Sequence, residues 1–547
     1  MKSTPLQAVL CGGLLATGLA LACGHARAAD ASLATLLEAR FHGDRTGACV
    51  VAATIAGDTV ARARYCARSG GDPAPGFDDG FEIGSVTKTM TAFLVADLVD
   101  RHLWTLDDPI AAHLPRGTVV PRQGERQILV RDLVTHRSGL PTLPSRMHPA
   151  DGADPYATLT EADLLQSLAD ARLARPIGSA YEYSNFAMMV LSLAVARAEG
   201  GDLERVLRNQ LFEPLRMGGA GIAAPSAHRA IGHLSTGAAT APWTIATDLA
   251  GFGMVHASLD DMVRYAQAEL GDAPPDIVRK MRMTQAPLAD GIGMNWMLAP
   301  LDGRQLVLHE GGTGGFTSIV VLEPARQRAV VILADTSLVD VGGLQRLALA
   351  LMGSAASPGR PRVATPIPAP LRAAMQGRFD FGTLKMTVRD EAGHLLAQAA
   401  GQPAIELFHD SEGDLYPAGM SALLTPEMED GRIDRFFWRQ GGGLVEARRE
   451  QATAEGRAAG APADPRWKDW LGDYAITPQF GLRLFQEDGR LKVRATGQAA
   501  IEAVPAGPDR AEIAVAGAVL QFERDGDGAV VGVKLQQNGH VLEGRKQ

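Results

Sequence analysis

Residues 81–88 read FEIGSVTK, and this stretch decides how the rest of the chain is interpreted. Apolar residues recur at helix spacing over 86–99, so Ser85 and Lys88 are predicted to lie one turn apart on one helical face. A serine hydroxyl becomes a nucleophile when a base takes its proton, and a lysine can be that base if burial lowers its pKa. The pattern predicts an activated serine, with an ordinary serine beside a solvated lysine as the alternative.

Residues 181–185 read YEYSN and directly precede a second predicted helix, 186–198. A Tyr183 phenolate stabilised by a lysine could act as a general base, and the Asn185 amide could bond both that lysine and a substrate carbonyl. The alternative is an aromatic ring packed under a loop, with the asparagine capping the helix.

A third motif, LHEGGTGGF at 308–316, runs from a predicted strand into glycines. Glycines let a substrate backbone approach a strand edge, and an N–H near Gly312 could join that of Ser85 in polarising an acyl carbonyl. A plain glycine-rich turn is the alternative. The stretch is not a zinc motif, because Thr313 stands where a second histidine would be needed.

Taken in order, Ser85-x-x-Lys88, Tyr183-Ser184-Asn185 and His309-Glu310-Gly311 resemble the three motifs of the serine β-lactamase and penicillin-binding protein superfamily. The branch resembled is that of class C β-lactamases and D-aminopeptidases (peptidase S12-like), with similarity from about Leu33 to Leu351. It implies an α/β (α+β) sandwich, a sheet flanked by helices, with an inserted helical lobe and the site between them. The stretches ILVRDLVTHRSGLP and FEPLRM, at 128–141 and 212–217, look like further family signatures.

The resemblance also implies roles for the matched positions. Ser85 would form the acyl-enzyme, Lys88 would take its proton, and Tyr183 would shuttle protons during acylation and deacylation. Asn185 and His309 would orient the substrate.

The third motif departs from true class C β-lactamases, which carry Lys-Thr-Gly where this chain has His309-Glu310-Gly311. Histidine there resembles peptidase and esterase relatives and lowers the expectation of strong β-lactam hydrolysis. We therefore expect an exported serine hydrolase for peptides containing D-residues, or related amides and esters, similar to a D-aminopeptidase or DD-carboxypeptidase. A class C-like β-lactamase or esterase is one alternative, and a non-catalytic penicillin- or glycan-binding sensor is another.

The first 28 residues have the features of a cleaved export signal. Lys2 is followed by an apolar run over 6–23 and by Ala-Arg-Ala, which predicts cleavage before Ala29 and a periplasmic or secreted protein. No integral membrane segment is expected after cleavage. A lipoprotein anchored at Cys23 is the alternative.

Two cysteines, Cys49 and Cys66, remain after that cleavage. Stretches 49–55 and 59–66 are predicted to form a β-hairpin, and a two-residue turn at Gly57-Asp58 would set the cysteines opposite one another. In an oxidising compartment this arrangement predicts a disulfide.

The chain is predicted to contain a catalytic domain at 29–353, a linker rich in proline and small residues at 354–370, and two modules at 371–450 and 465–547. The modules repeat, because GRF at 377–379 recurs as GDY at 472–474. Alternating apolar and polar residues predict small antiparallel β-barrels, and the two modules resemble lipocalin-like barrels. In the catalytic domain, further helices are predicted at 31–41, 161–170, 260–269 and 341–351, and strands at 305–309, 316–322 and 329–334.

Composition limits the partners. The net charge of -9 and the absence of a basic run argue against nucleic acid. No motif implies a cofactor or a metal, so the expected partner is a small peptide, amide, ester or β-lactam substrate. His136, His233 and His256 are interpreted as structural, because no motif around them calls for a base.

Overall fold

The computed structural model describes residues 32–173, 175–222, 229–355, 357–381, 385–399, 402–440, 443–450, 467–477, 480–487, 490–495, 501–513, 518–537 and 540–547. The predicted signal segment 1–28, with its cleavage position and Cys23, lies outside the described residues. The chain divides into two compact units. The first runs to Ala364 and includes Gly419–Ala422 and Gln440, and the second holds the remaining residues from Thr365.

An antiparallel sheet lies at the centre of the first unit, with the spatial order β2-β1-β6-β5-β4-β3. Every residue of its fifth strand is buried, as a continuous apolar run predicts. The sheet joins distant parts of the chain, because the first strand pairs with the sixth. Its strands are β1 (Cys49–Ala56), β2 (Thr59–Cys66), β3 (Met297–Leu301), β4 (Arg304–Gly312), β5 (Thr317–Glu323) and β6 (Arg328–Ala334).

Helices pack around this sheet and form a helical lobe. Two of them, α2 and α5, are buried along almost their whole length. Helix α2 contacts α5 and α8, and α7 contacts the sheet. The helices are α1 (32–41), α2 (Thr87–Asp100), α3 (Val130–Val134), α4 (Glu161–Asp170), α5 (Asn185–Ala198), α6 (Leu203–Leu207), α7 (Leu259–Leu270), α8 (Pro275–Gln285) and α9 (Gln345–Leu351).

Shorter elements connect the main ones. They are the strand pairs Phe81–Glu82 with His256–Ala257 and Arg122–Gln123 with Arg126–Gln127, the 3₁₀ turns Gly84–Val86, Ile110–His113, Thr247–Phe252, Pro324–Arg326 and Val339–Val341, and the π-helical turn Arg208–Phe212.

The first hairpin has the predicted form. Ala56 pairs with Thr59 across the Gly57-Asp58 turn, and this register sets Cys49 directly opposite Cys66. The two cysteines form the predicted disulfide, which is confirmed.

Several elements differ from the sequence-based expectation, among them the helices α3, α6 and α8, which were not predicted. The helix predicted at 341–351 begins only at Gln345, because Gly342 and Gly343 have φ angles of 106° and 57°, outside the helical range. Strand β3 was not predicted, and it contains Pro300. It lies at the edge of the sheet, which is where a strand can accommodate proline.

The second unit contains two antiparallel barrels, as predicted for the fold class. In the first barrel the pairing of β10 with β11 closes the ring. A short helix, α10 (Ala369–Met375), precedes it, and the two-residue strand Ala364–Thr365 lies before that helix. The strands are β7 (Gly377–Asp380), β8 (Lys385–Glu391), β9 (His394–Ala399), β10 (Ile405–Asp410), β11 (Leu415–Pro417), β12 (Ala422–Glu429), β13 (Arg432–Gln440) and β14 (Gly443–Arg449).

The second barrel follows helix α11 (Trp467–Trp470) and is nearly closed, since β18 and β19 stand at the two ends of its sheet and succeed one another in the chain. Its strands are β15 (Gly472–Thr477), β16 (Phe480–Glu487), β17 (Arg490–Ala495), β18 (Ile501–Glu502), β19 (Val504–Gly507), β20 (Arg510–Ile513), β21 (Ala518–Arg524), β22 (Val530–Gln537) and β23 (His540–Lys546).

The internal repeat has a structural basis in the first and last strand of each barrel. Phe379 and Tyr474 are buried aromatic residues of β7 and β15. The guanidinium carbon of Arg449 lies 4.7 Å from the Phe379 ring centroid, and Lys546 Nζ lies 5.8 Å from that of Tyr474. Each barrel therefore places a cation from its last strand over an aromatic ring of its first strand.

Candidate active site

Ser85 lies in the 3₁₀ turn Gly84–Val86, which leads directly into helix α2. The turn packs tightly against the end of strand β4. Gly84 has a φ of 51°, and a Cβ atom there would lie 2.6 Å from the backbone nitrogen of Gly312. A Cβ on Gly311 would collide with the carbonyl oxygen of Ile83. Glycine is required on both sides, and this close approach brings the third motif beside the first.

Lys88 contacts Ser85 from within the protein core. Its Nζ donates a hydrogen bond to Ser85 Oγ at 2.8 Å and another to the Phe252 carbonyl oxygen at 2.5 Å. The side chain is 0% exposed, and its amine lies 4.8 Å from the Tyr183 ring centroid. Burial therefore holds the pKa of Lys88 well below its ordinary value, which favours the neutral amine that a general base requires.

Tyr183 reaches Ser85 from the second motif. Its hydroxyl donates a hydrogen bond to Ser85 Oγ at 2.6 Å. Ser184 caps helix α5 by accepting the Ala187 N–H at 2.9 Å, and this fixes the chain just after Tyr183. Burial raises the pKa of Tyr183 above its ordinary value, which favours the neutral hydroxyl over the phenolate considered from the sequence. Lys88 is thus better suited than Tyr183 to be the resting base.

His309 is buried in strand β4, and its Nδ1 lies 2.7 Å from the carbonyl oxygen of Glu310. Because a carbonyl can only accept, Nδ1 carries the proton and Nε2 is the free acceptor. Burial, with a smaller contribution from nearby Lys88, lowers the pKa of His309 to about 3. The imidazole is therefore neutral at working pH and adds no positive charge to the site.

A cavity of about 690 Å³ opens onto these groups. The residues that line it include Ser85 and Tyr183, with Asn185, Glu310 and Gly312 from the second and third motifs. The Asn185 side-chain oxygen is buried and has no hydrogen-bond partner among the described residues, so it is available to a substrate donor. The structure thus brings all six sequence-predicted site residues into one region.

Sequence reasoning missed residues that complete the site. His136, interpreted as structural, packs on Tyr183 with ring centroids 4.6 Å apart, and its Nδ1 accepts the Ser184 N–H at 3.2 Å. Phe252 supplies the carbonyl that anchors Lys88. The sequence signal for His136 was its place in the stretch 128–141, which resembles a family signature. Phe252 has no such signal, because it contacts Lys88 through its backbone carbonyl and not through its side chain.

The other two histidines lie in separate polar contacts. His233 Nε2 lies 3.1 Å from an Asp72 carboxylate oxygen, and His256 Nε2 lies 3.7 Å from one of Glu82. Within the described ranges, no group of three or more His, Cys, Asp or Glu side chains could hold a metal ion. No helix in the same ranges is long and apolar enough to cross a membrane.

Comparisons with known proteins agree with the three motifs. A family model described as Beta-lactamase matches residues 33–351, more than half of the chain. The D-alanyl-D-alanine-carboxypeptidase/endopeptidase AmpH of Escherichia coli (strain K12) is 27% identical over 292 residues, which cover 49% of this chain and 74% of that protein. Penicillin-binding protein 4 of Amycolatopsis lactamdurans is 28% identical over 282 residues, with 47% and 72% covered.

Among solved structures, a β-lactamase/D-alanine carboxypeptidase from Yersinia pestis, complexed with citrate, aligns with a TM-score of 0.46 and 22% identity. That alignment covers 56% of this chain and 93% of the other.

Proposed function

The chain belongs to the β-lactamase family, and from this premise we propose that it is an exported serine hydrolase that forms an acyl-enzyme on Ser85. Its proposed substrates are peptides containing D-residues, or related amides and esters. The observation that carries this proposal is the convergence of two hydrogen bonds on one oxygen, from Lys88 Nζ and from the Tyr183 hydroxyl to Ser85 Oγ. A structural serine has no need of a buried amine and a buried phenol together.

Acylation follows from this geometry. For the reaction the Ser85 hydroxyl turns to donate to the lone pair of the neutral Lys88 amine across their 2.8 Å contact. The Ser85 oxygen then attacks the substrate carbonyl carbon while its proton passes to that amine. The new bond joins Ser85 Oγ to the acyl carbon, and the bond from that carbon to the leaving nitrogen or oxygen breaks. Tyr183, within 2.6 Å of Ser85 Oγ, gives its proton to the leaving group and is reprotonated by Lys88.

Deacylation reverses the same steps with water as the nucleophile. The water oxygen attacks the acyl carbon, its proton passes to the site base, and the bond to Ser85 Oγ breaks as the serine regains its proton. During both steps the backbone N–H groups of Ser85 and Gly312 would hold the carbonyl oxygen. The close approach of the Gly84–Val86 turn to Gly312 supports this pairing.

The substrate class is supported by two arguments. Relatives that match the chain are named as a D-alanyl-D-alanine carboxypeptidase/endopeptidase and as a penicillin-binding protein. The cavity of about 690 Å³ is large enough for a short peptide or a small amide. Export is proposed from residues 1–28 alone, and amino-terminal sequencing of the protein from a periplasmic fraction should begin at Ala29.

Intact-mass analysis tests the proposal. The mature protein is incubated with a fluorophosphonate, an acylating β-lactam and a panel of D-aminoacyl amides and esters. We expect one adduct on Ser85 and turnover of at least one D-aminoacyl substrate. Ser85→Ala should lose both, whereas the matched control Ser179→Ala, at an exposed serine outside the cavity lining, should keep both.

Two outcomes would contradict the proposal. Undiminished turnover by Ser85→Ala would remove the nucleophile from the mechanism. An adduct that persists without turnover of any substrate would identify a sensor rather than an enzyme. Product formation measures the first outcome, and the mass of the protein over time measures the second.

A further inference from the structure

The cavity beside Ser85 has an unusual charge. Among the described residues that line it, the ionisable acids are Glu310 and Asp340, and no lysine, arginine or histidine lines it. Lys88 and His309 do not line the cavity, and burial favours the neutral form of each. A substrate therefore meets a cavity with carboxylates and without a fixed cation.

Glu310 is the acid of the cavity lining that belongs to the third motif. Its side chain is exposed, in contrast to the buried His309 before it and the buried Gly311 after it. Its carboxylate makes no hydrogen bond or ion pair with any other described residue, and desolvation in the concave wall of the cavity raises its pKa above the ordinary value. An unpaired carboxylate in a concave site is costly unless a ligand supplies the counter-charge.

A second, independent feature of the same wall also lacks a partner. Thr313 is 5% exposed and lines the cavity, yet its hydroxyl oxygen is buried and makes no hydrogen bond with the described residues. Buried hydroxyls are ordinarily paired, so this one is available to a bound group. Glu310 and Thr313 both adjoin the Gly311-Gly312 segment that touches the turn of Ser85.

We propose that Glu310 is the specificity residue of this cavity, and that its carboxylate selects substrates bearing a free ammonium group over substrates bearing a carboxylate. The inference rests on the proposed function, because it concerns the substrate of the same Ser85. The ammonium could lie on the acyl side, as in a D-amino acid amide with a free α-amine. It could also lie on the leaving-group side, as in an amide of a diamine.

The Glu310 carboxylate is expected to affect substrates of both charges. A group of opposite sign near Glu310 is attracted in a partly enclosed site, and a carboxylate is repelled by a comparable amount. Substrates with a carboxylate close to the scissile bond, including β-lactams, should thus be poor. Uncharged amides should fall between the two.

Kinetics with two matched substrate pairs test the inference. D-Alanyl p-nitroanilide is compared with its N-acetyl derivative for the acyl side, and the 3-aminopropylamide of N-acetyl-D-alanine with its propylamide for the leaving-group side. Glu310→Gln keeps the shape of the side chain and removes its charge. We expect it to lower kcat/KM for an ammonium-bearing substrate by about 10- to 100-fold and to change the uncharged partner by less than about threefold.

Two further variants sharpen the test. Glu310→Lys should reverse the preference and improve turnover of N-acetyl-D-alanyl-D-alanine, which carries a carboxylate. Asp302→Asn removes the same charge from the turn between β3 and β4, outside the cavity lining, and should change neither pair. Labelling of Ser85 by an uncharged fluorophosphonate should be equal in all variants, which shows that the nucleophile is intact.

The outcomes separate the two proposals. An effect confined to one substrate pair supports the inference and locates the ammonium on that side, and an effect on both pairs supports it for both sides. Equal kcat/KM for charged and uncharged partners in the parent enzyme, or an equal loss for both in Glu310→Gln, overturns the inference while leaving the hydrolase in place. Absence of a Ser85 adduct and of all turnover overturns both proposals.

Discussion

One buried lysine lies near each end of helix α2, and the two lysines have different surroundings. At the first end, Lys88 is fully buried against the Tyr183 and Phe252 rings and a carbonyl, with no carboxylate partner among the described residues. At the other end, Lys280 of α8 is 8% exposed and donates to Asp97 at 3.0 Å. Burial by itself therefore does not account for the environment of a reactive lysine. Burial lowers the pKa of a lysine when no carboxylate pairs with the amine.

The physical reason lies in the free energy of the charged form. A buried ammonium that faces a carboxylate keeps its proton, because the two charges offset each other's desolvation. A buried ammonium without that partner can lower its free energy only by releasing the proton, and its pKa falls. Lys88 is therefore suited to act as a base, because no carboxylate among the described residues pairs with its amine. Lys280 of α8, which pairs with Asp97 of α2, is the reference for a structural lysine.

The strongest test of this comparison is the same substitution at both lysines. Lys88→Met should lower kcat/KM by about 10³- to 10⁴-fold, because the serine loses its base. The free energy of unfolding at neutral pH should rise. In the parent, folding has to remove a proton from Lys88 that the unfolded chain keeps, and the methionine variant has no such cost. Steady-state kinetics and thermal unfolding at pH 7 measure the two quantities.

A methionine variant that keeps more than a tenth of the parent kcat/KM would remove Lys88 from the mechanism. The pH profile gives a second check. Activity should fall on the acidic side as Lys88 becomes protonated, and no step should arise from His309 above about pH 4, because its pKa is about 3.

The next largest effect is expected at Tyr183. Tyr183→Phe removes the hydroxyl that donates to Ser85 Oγ and keeps the ring that covers Lys88. We expect kcat to fall by about 10²-fold through loss of the proton relay, with the amine still available as a base. Tyr181→Phe is the matched control, since among the described residues its hydroxyl contacts only Met297 Sδ, at 4.0 Å. Equal kcat losses in the two variants would mean that the relay is not specific to Tyr183.

Lys280→Met tests the structural member of the pair. The substitution leaves Asp97 buried with Arg101 as its remaining cation, at 3.0 Å. We expect the free energy of unfolding to fall by about 2 kcal/mol, less than for a buried carboxylate left without any partner. The kcat should stay within about twofold of the parent value, as for residues remote from reacting groups. A loss of kcat comparable to that of Lys88→Met would break the distinction between the two lysines.

The sequence predicted local features well and the environment of Lys88 poorly. The hairpin register followed from the Gly57-Asp58 turn, because hairpin geometry is set by residues adjacent in the chain. The three motifs were predicted to form one site, and the structure brings them together. The groups around Lys88 come from Tyr183 and Phe252, which are distant in the sequence. The residues next to Lys88 in the chain therefore do not reveal that no described carboxylate pairs with it.

The role of neighbouring side chains in the cleft was also beyond the sequence. His136 was interpreted as structural because no motif around it calls for a base, and the structure adds where it acts: it packs on Tyr183 and accepts the Ser184 N–H. The exposed carboxylate of Glu310 was visible as an unusual residue, but its isolation from every cation in the described structure required the folded arrangement of the cavity. Long-range contacts decide charge environments, and local pattern does not encode them.

Glu269 provides the acidic counterpart of the comparison, because it is also buried without a cation. It is 3% exposed, and its carboxylate accepts the Gln285 amide at 2.6 Å. Burial raises its pKa from about 4.5 to about 7. Between these values the folded protein holds a proton that the unfolded chain has released. The contribution of Glu269 to stability is therefore fully present below about pH 4.5 and is lost as the pH rises through 7.

Glu269→Gln should remove this pH dependence and sharpen the comparison between buried groups with and without a counter-charge. We expect the variant to match the parent near pH 5 and to exceed its free energy of unfolding by about 1–2 kcal/mol at pH 8, where the parent must bury an ionised carboxylate. Thermal unfolding across that range measures the difference, with the exposed Glu125→Gln as the control that should show none. A variant less stable than the parent at pH 8 would mean that the ionised Glu269 is stabilised by contacts stronger than the Gln285 amide. In that case burial without a counter-charge would not suffice to shift the pKa of a side chain, and the lowered pKa of Lys88 could not be attributed to burial alone.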